Sequence, residues 1–524
     1  MLVELVKESI TSDLVIGQEM TQSIIEGDIL VPDSKPDISR VISVDGLIQM
    51  TKKEVTENKI GVEGTIKFKI LYVSDKGEEP LYSIDSSTVF KQSIPVHGVT
   101  SKMRPEVEVD IEHIDFKINN ERKIAVKAVI NLEGKGILED KKEITRDVAG
   151  LDDIEVLKEN IYFTELIGDN SSEALIKDTF ELDESVAGIK EVLKWSAAVV
   201  EKETKVTDDK VIVGGALTVE VFYLTDEEES ALNIIKREIP FTHFVEVPNA
   251  YGDMKYKLKL NVDELYTDVK ENLQGERKVL EIEAISKVNV KVMDTQAVEL
   301  VVDAYSPSRQ LKLQKEYIEL KENIGMNRAH MIVRESLDKP SAHPSLHKLF
   351  SIHAKPILTD YHIVEDKTVI EGVLETNVIY ASEEGLQPLY SFSHEIPFRH
   401  FVDIDGLRNG MEANVDLFVE QVDYDILNND QVDIRVNIGA TCEAYKTKSV
   451  ESIKQIEDLD EVLSVAGKPS LTLYFLQPGD TLWKVAKRYN TTVKQLIESN
   501  GIEDVNSVHP GDYVIIEKIH KFKF

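Results

Sequence analysis

The sequence predicts a mainly β protein: three tandem homologous β-rich domains, each a sandwich or open barrel, followed by a small βααβ module. Three observations carry this. Fixed offsets relate distant parts of the chain. Apolar and polar residues alternate with period two through most of it. Near the C-terminal end the pattern switches to a helical period between two short apolar runs.

The chain repeats itself three times. Tyr72 lies eight residues after Gly64, Tyr223 eight after Gly215 and Tyr380 eight after Gly372, at successive offsets of 151 and 157. The same offsets relate Lys7-Glu8 to Lys158-Glu159 and Lys315-Glu316, Gly17 to Gly168 and Gly325, and Ile38 to Ile189 and Leu346. The dipeptide Ile94-Pro95 sits 31 residues after Gly64, whereas Ile239-Pro240 and Ile396-Pro397 sit 25 after theirs, so six extra residues are expected in the first copy. Copies two and three also share IPFTHF and IPFRHF. The copies are placed at 1–150, 151–307 and 308–450, with a polar linker at 451–470. Units this long can each close a core.

Within the copies the signal is strand. Tyr256, Leu258, Leu260 and Val262 alternate with polar residues, as do Val107, Val109 and Ile111, then Val288, Val290 and Val292, and Val415, Leu417 and Val419. Such alternation describes a sheet with one buried face. The segment SSEALIKDTFE at 171–181 suits a helix or a strand. The repeated glycines are expected where a bulge or close backbone approach excludes a side chain. The repeated tyrosines are expected as core or strand-end aromatics with a wet hydroxyl.

Composition narrows the function. The 61 Lys and Arg against 95 Asp and Glu give a net charge of −34, which disfavours nucleic acid and anionic membranes as partners. Residues 471–524 carry a net of +1, so the terminal module differs electrostatically from its carrier. The lone Cys442 rules out a disulfide within the chain and suits a reducing compartment. The N-terminal residues lack the pattern of a secretory signal, and no apolar run approaches the roughly 18 residues of a membrane helix.

The search for chemistry finds no catalytic constellation. Phosphate-binding glycine loops and nucleophile elbows are missing. His394-Glu395 lacks a second histidine one helical turn on, and Pro397 opposes a helix there. Seven of the twelve histidines crowd the third copy, but with loose spacing, so no metal or other cofactor is expected. His243 and His400 occupy equivalent positions, for which a structural hydrogen bond is the plainer account. Cys442 falls in a strand pattern as a buried thiol.

The terminal module can be followed residue by residue. Leu471 to Leu476 form a strand and Pro478-Gly479 a turn. Asp480 is placed to cap a helix bearing Leu482, Val485, Ala486 and Tyr489 on one face. Thr492 with Gln495 forms a capping box, Asn500-Gly501 ends the second helix, and Tyr513 to Ile516 close the sheet. A unit this small has little room for a catalytic cleft and suits binding.

Tyr474, Gly479 to Trp483, Ala486, Tyr489, Thr492-Val493, Leu496, Asn500 and Pro510 to Asp512 resemble the LysM signature. That resemblance implies binding of N-acetylglucosamine-containing glycans such as peptidoglycan. It places Gly479, Asp480, Thr481 and Leu482 on one wall of a shallow groove and Asn506, Ser507, Val508, His509 and Pro510 near the other. Trp483 stays open between sugar stacking and core. The whole chain, with the leader GQEMTQSIIEGDILVPDSKPDISRVISVDG at 17–46, is similar to clostridial spore-coat morphogenetic proteins that partner the coat-basement ATPase. The resemblance implies a non-enzymatic scaffold made in the mother cell, located at the forespore surface, whose LysM docks that ATPase or another coat protein.

Overall fold

The computed structural model describes residues 3–227, 231–384, 388–463, 469–504 and 508–517. The first copy contributes β1 (Glu4–Leu30), β2 (Arg40–Thr56), β3 (Lys59–Val73), β4 (Tyr82–Ile94), β5 (Arg104–Asn120) and β6 (Lys123–Ala149). The second contributes β7 (Glu155–Glu181), β8 (Ile189–Thr207), β9 (Lys210–Thr225), β10 (Leu232–Glu246), β11 (Lys255–Lys270) and β12 (Val279–Tyr305). The third contributes β13 (Arg309–Asp338), β14 (Lys348–Val364), β15 (Lys367–Ala381), β16 (Tyr390–Asp403), β17 (Glu412–Asn428) and β18 (Gln431–Val462). Each copy folds into two three-stranded antiparallel sheets, ordered β1-β6-β5 and β2-β3-β4 in the first. Their inner faces share a core that includes Ile60, Ile66 and Phe68 from β3 with Ile124, Ala128 and Ile130 from β6.

The leader segment 171–181 is strand throughout, as the inner part of β7 paired with β12. Ala174 and Ile176 are buried at alternate positions, and that period-two burial decides against a helix.

The glycines behave as expected. A Cβ on Gly64 would lie 2.7 Å from both the Gln49 carbonyl oxygen and the Phe90 ring, and on Gly372 it would lie 2.4 Å from the Phe398 ring. The neighbouring strand bulges beside each, between Met50 and Lys52 and between Leu358 and Asp360. Phe90, Phe241 and Phe398 sit directly opposite Gly64, Gly215 and Gly372. This register corrects the six-residue insertion expected in the first copy. Ile94 faces Ile60 at a strand end, whereas Ile239 faces Leu217 and Ile396 faces Leu374 in mid-strand, so the Ile-Pro dipeptides are not equivalent. The extra residues lie in copy two, between β11 and β12: Val269 faces Leu280 where Ile118 faces Ile124.

The repeated tyrosines are fully buried rather than wet. The Tyr72 and Tyr380 hydroxyls donate to the Pro36 and Pro344 carbonyl oxygens, each at 3.0 Å, pinning the leader loops against β3 and β15. Burial pushes both phenols up to about 12. Tyr380→Phe should cost about 0.5–1.5 kcal/mol in urea unfolding, the net worth of one such bond.

The copies are not beads on a string. The outer halves of β1/β6, β7/β12 and β13/β18 leave their sandwiches as two-stranded ribbons, beginning at the pairs Val15–Ile137, Leu166–Met293 and Asn323–Tyr445. The three ribbons pack together as a stem. Ile10, Ile161 and Ile318 form one buried layer, and Val148, Ala304 and Ile456 form another. Within each layer the residues are equivalents from the three copies, so the stem has a pseudo-threefold axis. A second apolar junction joins Leu71, Phe222 and Ile379 with Leu81, Leu232 and Leu389, again one of each set per copy. Ion pairs cross all three seams: Lys291–Glu106 at 2.7 Å, Lys257–Asp416 at 2.6 Å and Lys355–Asp110 at 2.5 Å.

Residues 451–462, expected as linker, are the last part of β18. Ile453 and Ile456 turn into the stem, and Arg309 pairs with Asp458 at 2.7 Å. A ladder slip between Gln314 and Lys315 interrupts the alternation there and hides the strand from pattern reading.

Candidate binding site

The terminal module consists of β19 (Leu471–Phe475), α1 (Leu482–Tyr489), α2 (Val493–Asn500) and β20 (Tyr513–Glu517). β19 and β20 pair antiparallel, and the helices cover one face of the ribbon over Leu476, Leu482, Val485, Ala486, Leu496, Val514 and Ile516. Thr492 and Gln495 form the reciprocal capping box that the sequence predicts. Asn500 ties α2 to β20, its side chain accepting from the Ile515 amide at 2.6 Å and donating to the Ile515 carbonyl at 2.8 Å. Gly501 ends α2 with φ of 62°.

The expected cap of α1 shifts by one residue. Thr481 accepts from the Lys484 amide, while Asp480 turns back into its own turn. The Asp480 carboxylate accepts from the Tyr474 hydroxyl at 2.6 Å and the Gln477 amide at 2.9 Å, and Arg488 donates to the Tyr474 hydroxyl at 2.6 Å. These bonds, led by that of Tyr474, hold the carboxyl below its usual range.

The two turns expected to flank a groove are brought together. The Gly511 amide donates to the Leu476 carbonyl at 2.9 Å, and the Leu476 amide donates to the Asp512 carbonyl at 2.8 Å. Gly479, Thr481, His509 and Pro510 are exposed there, and Val508 is half-buried. Gly479 has φ of 84° with open space beside it. Leu482 is instead buried in the module core. Asn506 and Ser507 lie outside the described residues.

Trp483 does not face open solvent. Its indole nitrogen donates to Asp303 at 2.8 Å, and its ring packs edge-on against Tyr305 with centroids 4.9 Å apart. Lys487 donates to both Asp303 oxygens, at 2.7 and 2.8 Å. The Tyr305 hydroxyl donates to the Thr491 carbonyl at 2.8 Å, and its ring joins the module core. Asp303 and Tyr305 close the C-terminal end of β12, so the module sits on the stem. Sequence reading missed both residues. The available signal was a departure from the repeat: Tyr305 stands where the other copies have Ala149 and Glu457.

Burial alone would raise the Asp303 carboxyl, but the bonds from Lys487 and Trp483 and the charges of Lys487 and Lys315 outweigh it and lower it. A carboxyl lowered by a contact strengthens that contact above its free value and loses it as pH falls through the bound one. The contact should therefore hold at neutral pH and weaken below about pH 4. Trp483 fluorescence in a Trp195→Phe background checks this.

The remaining chemical candidates make contacts within the body of the protein. His243 shares a 2.7 Å bond with Ser172, and His400 stacks on Phe401. Cys442 is buried, donates to Thr368 at 3.3 Å and is pushed up by burial. Among the described residues, no group of three or more histidine, cysteine or acidic side chains is arranged to hold a metal ion. Among them, too, no helix is long and apolar enough to cross a membrane.

A stem of three equivalent β units bearing a helical-pair binding module defines a modular binding protein. The SipL, SPOCS domain family matches residues 37–119, 188–270 and 345–427, and the LysM domain family matches 474–517. The chain belongs to the SipL family, with three SPOCS domains followed by a C-terminal LysM domain. The three matched windows hold β2 to β5 and their equivalents, so the stem strands lie largely outside them. No curated relative and no solved structure matches the chain.

Proposed function

We propose that this protein is a non-enzymatic scaffold of spore-coat morphogenesis whose LysM module docks a coat-assembly protein, the coat-basement ATPase being the first candidate. The observation that carries the reading is the closed three-copy body with a LysM module seated on its stem. Such a body displays three similar surfaces and holds the module at a set place, which suits assembly better than turnover. The SipL family match and the electrostatic contrast between carrier and module support it. The site of action in this reading is the mother-cell side of the forespore surface. The domain limits proposed are 1–150, 151–307 and 308–462, the last drawn to the end of β18.

The test is deletion of 471–524 in sporulating cells. The truncated chain should accumulate but lose its position around the forespore and its capture of the ATPase. Normal placement of the truncated chain would sink the proposal.

One observation favours a second reading, direct binding of N-acetylglucosamine-containing glycan. The turns at Gly479 and Pro510 remain exposed, leaving backbone groups for acetamido recognition. Sedimentation with purified peptidoglycan separates the two. Binding that depends on the LysM module supports the glycan reading, and its absence alongside ATPase capture supports docking.

A further inference from the structure

The stem offers three nearly equivalent ribbon ends, yet the LysM module occupies one of them. At the position of Asp303 the other copies carry Asp147 and Gln455, and at the position of Tyr305 they carry Ala149 and Glu457. The second ribbon end alone therefore combines an acceptor carboxylate with an aromatic ring. Asp147 pairs instead with Lys158 on β7 of the second copy, at 3.3 Å. Among the described residues, the hydrogen bonds and ion pairs between module and stem all end on Asp303 and Tyr305.

We infer that Asp303 and Tyr305 form a dedicated internal docking site for the LysM module, which breaks the threefold equivalence of the stem and closes the Trp483 face of α1. The chemistry is specific on both sides. A carboxylate that accepts from an indole N–H and an ammonium together cannot be replaced by an apolar contact without leaving both donors unpaired. Tyr305 supplies a ring for the module core and a hydroxyl for the Thr491 carbonyl, in the connection between α1 and α2. With the site occupied, a ligand of the module meets the Gly479 and Pro510 turns or the outer face of β19 and β20, and reaches the Trp483 indole N–H only by displacing Asp303.

The test uses the full chain with Trp195→Phe, so that Trp483 is the sole tryptophan. Acrylamide quenching is measured for this parent and for added Asp303→Ala, Tyr305→Ala and, as an equivalent-position control, Asp147→Ala. Trp483 should lose its protection from quenching in the first two variants and keep it in the control. Hydrogen exchange at the α1 amides reports whether the module itself stays folded. Should Tyr305→Ala unfold it, Asp303→Ala, which removes only a carboxylate outside the module, decides the matter. Unchanged protection in Asp303→Ala, or an equal loss in Asp147→Ala, would overturn the inference. Neither result depends on what the module binds, so the docking reading stands or falls separately.

Discussion

Replacing Phe163 by Ala is expected to lower stability by about 3–5 kcal/mol, the usual cost of deleting a buried aromatic ring. Phe163 is 3% exposed and shares its cluster with Ile10, Ile161, Ile318 and Leu320, residues of all three copies. Its equivalents in the stem are the buried Ser12 and Leu320, so the second copy alone places an aromatic ring at this position. The cavity would lie on the shared axis, and the loss would be felt by every copy. Urea unfolding followed at Trp195, which lies in β8 of the second sandwich, and by far-UV circular dichroism should shift together to lower denaturant. A shift confined to one probe would mean that the stem does not couple the copies.

The second large effect concerns one glycine and not its neighbour. Gly64→Ala places a methyl group 2.7 Å from a backbone oxygen of β2 and from the Phe90 ring. The ring can move a little, but the backbone oxygen can move only with its strand. Overpacking of this kind costs about 1–3 kcal/mol. In the same strand, a Cβ on Gly61 would meet nothing nearer than the Glu54 oxygen at 3.7 Å. Gly61→Ala should change stability by no more than about 0.5 kcal/mol in either direction. Equal losses at both sites would remove the account of the repeated glycine. A smaller contrast should hold at Gly215 against Gly214, whose added Cβ atoms would come to 2.6 Å of the Phe241 ring and 3.3 Å of the Glu203 backbone oxygen.

The sequence made the three copies legible through glycine, tyrosine and alternation, because those features are dictated within one sandwich. Gly64 needs Phe90 on the adjacent strand, and Tyr72 needs a nearby proline carbonyl. The stem was not legible. Its layers join residues such as Ile10, Ile161 and Ile318, each of which looks locally like any half-buried strand residue. Residues 451–462 are polar enough to pass for a linker until β13 is seen beside them. In the module, capping and helix ends followed from local chemistry and were readable. The orientation of Trp483 was not, because its partner Asp303 lies in another domain and has an aspartate, Asp147, at the same position of the first copy. The misplaced insertion has a similar origin: a shared Ile-Pro dipeptide outweighed the strand register, which only pairing partners reveal.

The three copies close around one stem, and the LysM module is seated at its end. Small-angle scattering of the full chain tests this most directly. A closed body of 524 residues whose stem strands run 27 to 32 residues should give the radius of gyration of three copies packed around one stem, moderately above the roughly 24 Å of a compact globule of this length. Three sandwiches and a free module strung in a line would give a value far above that, with a long tail in the distance distribution, and such a result would contradict the account.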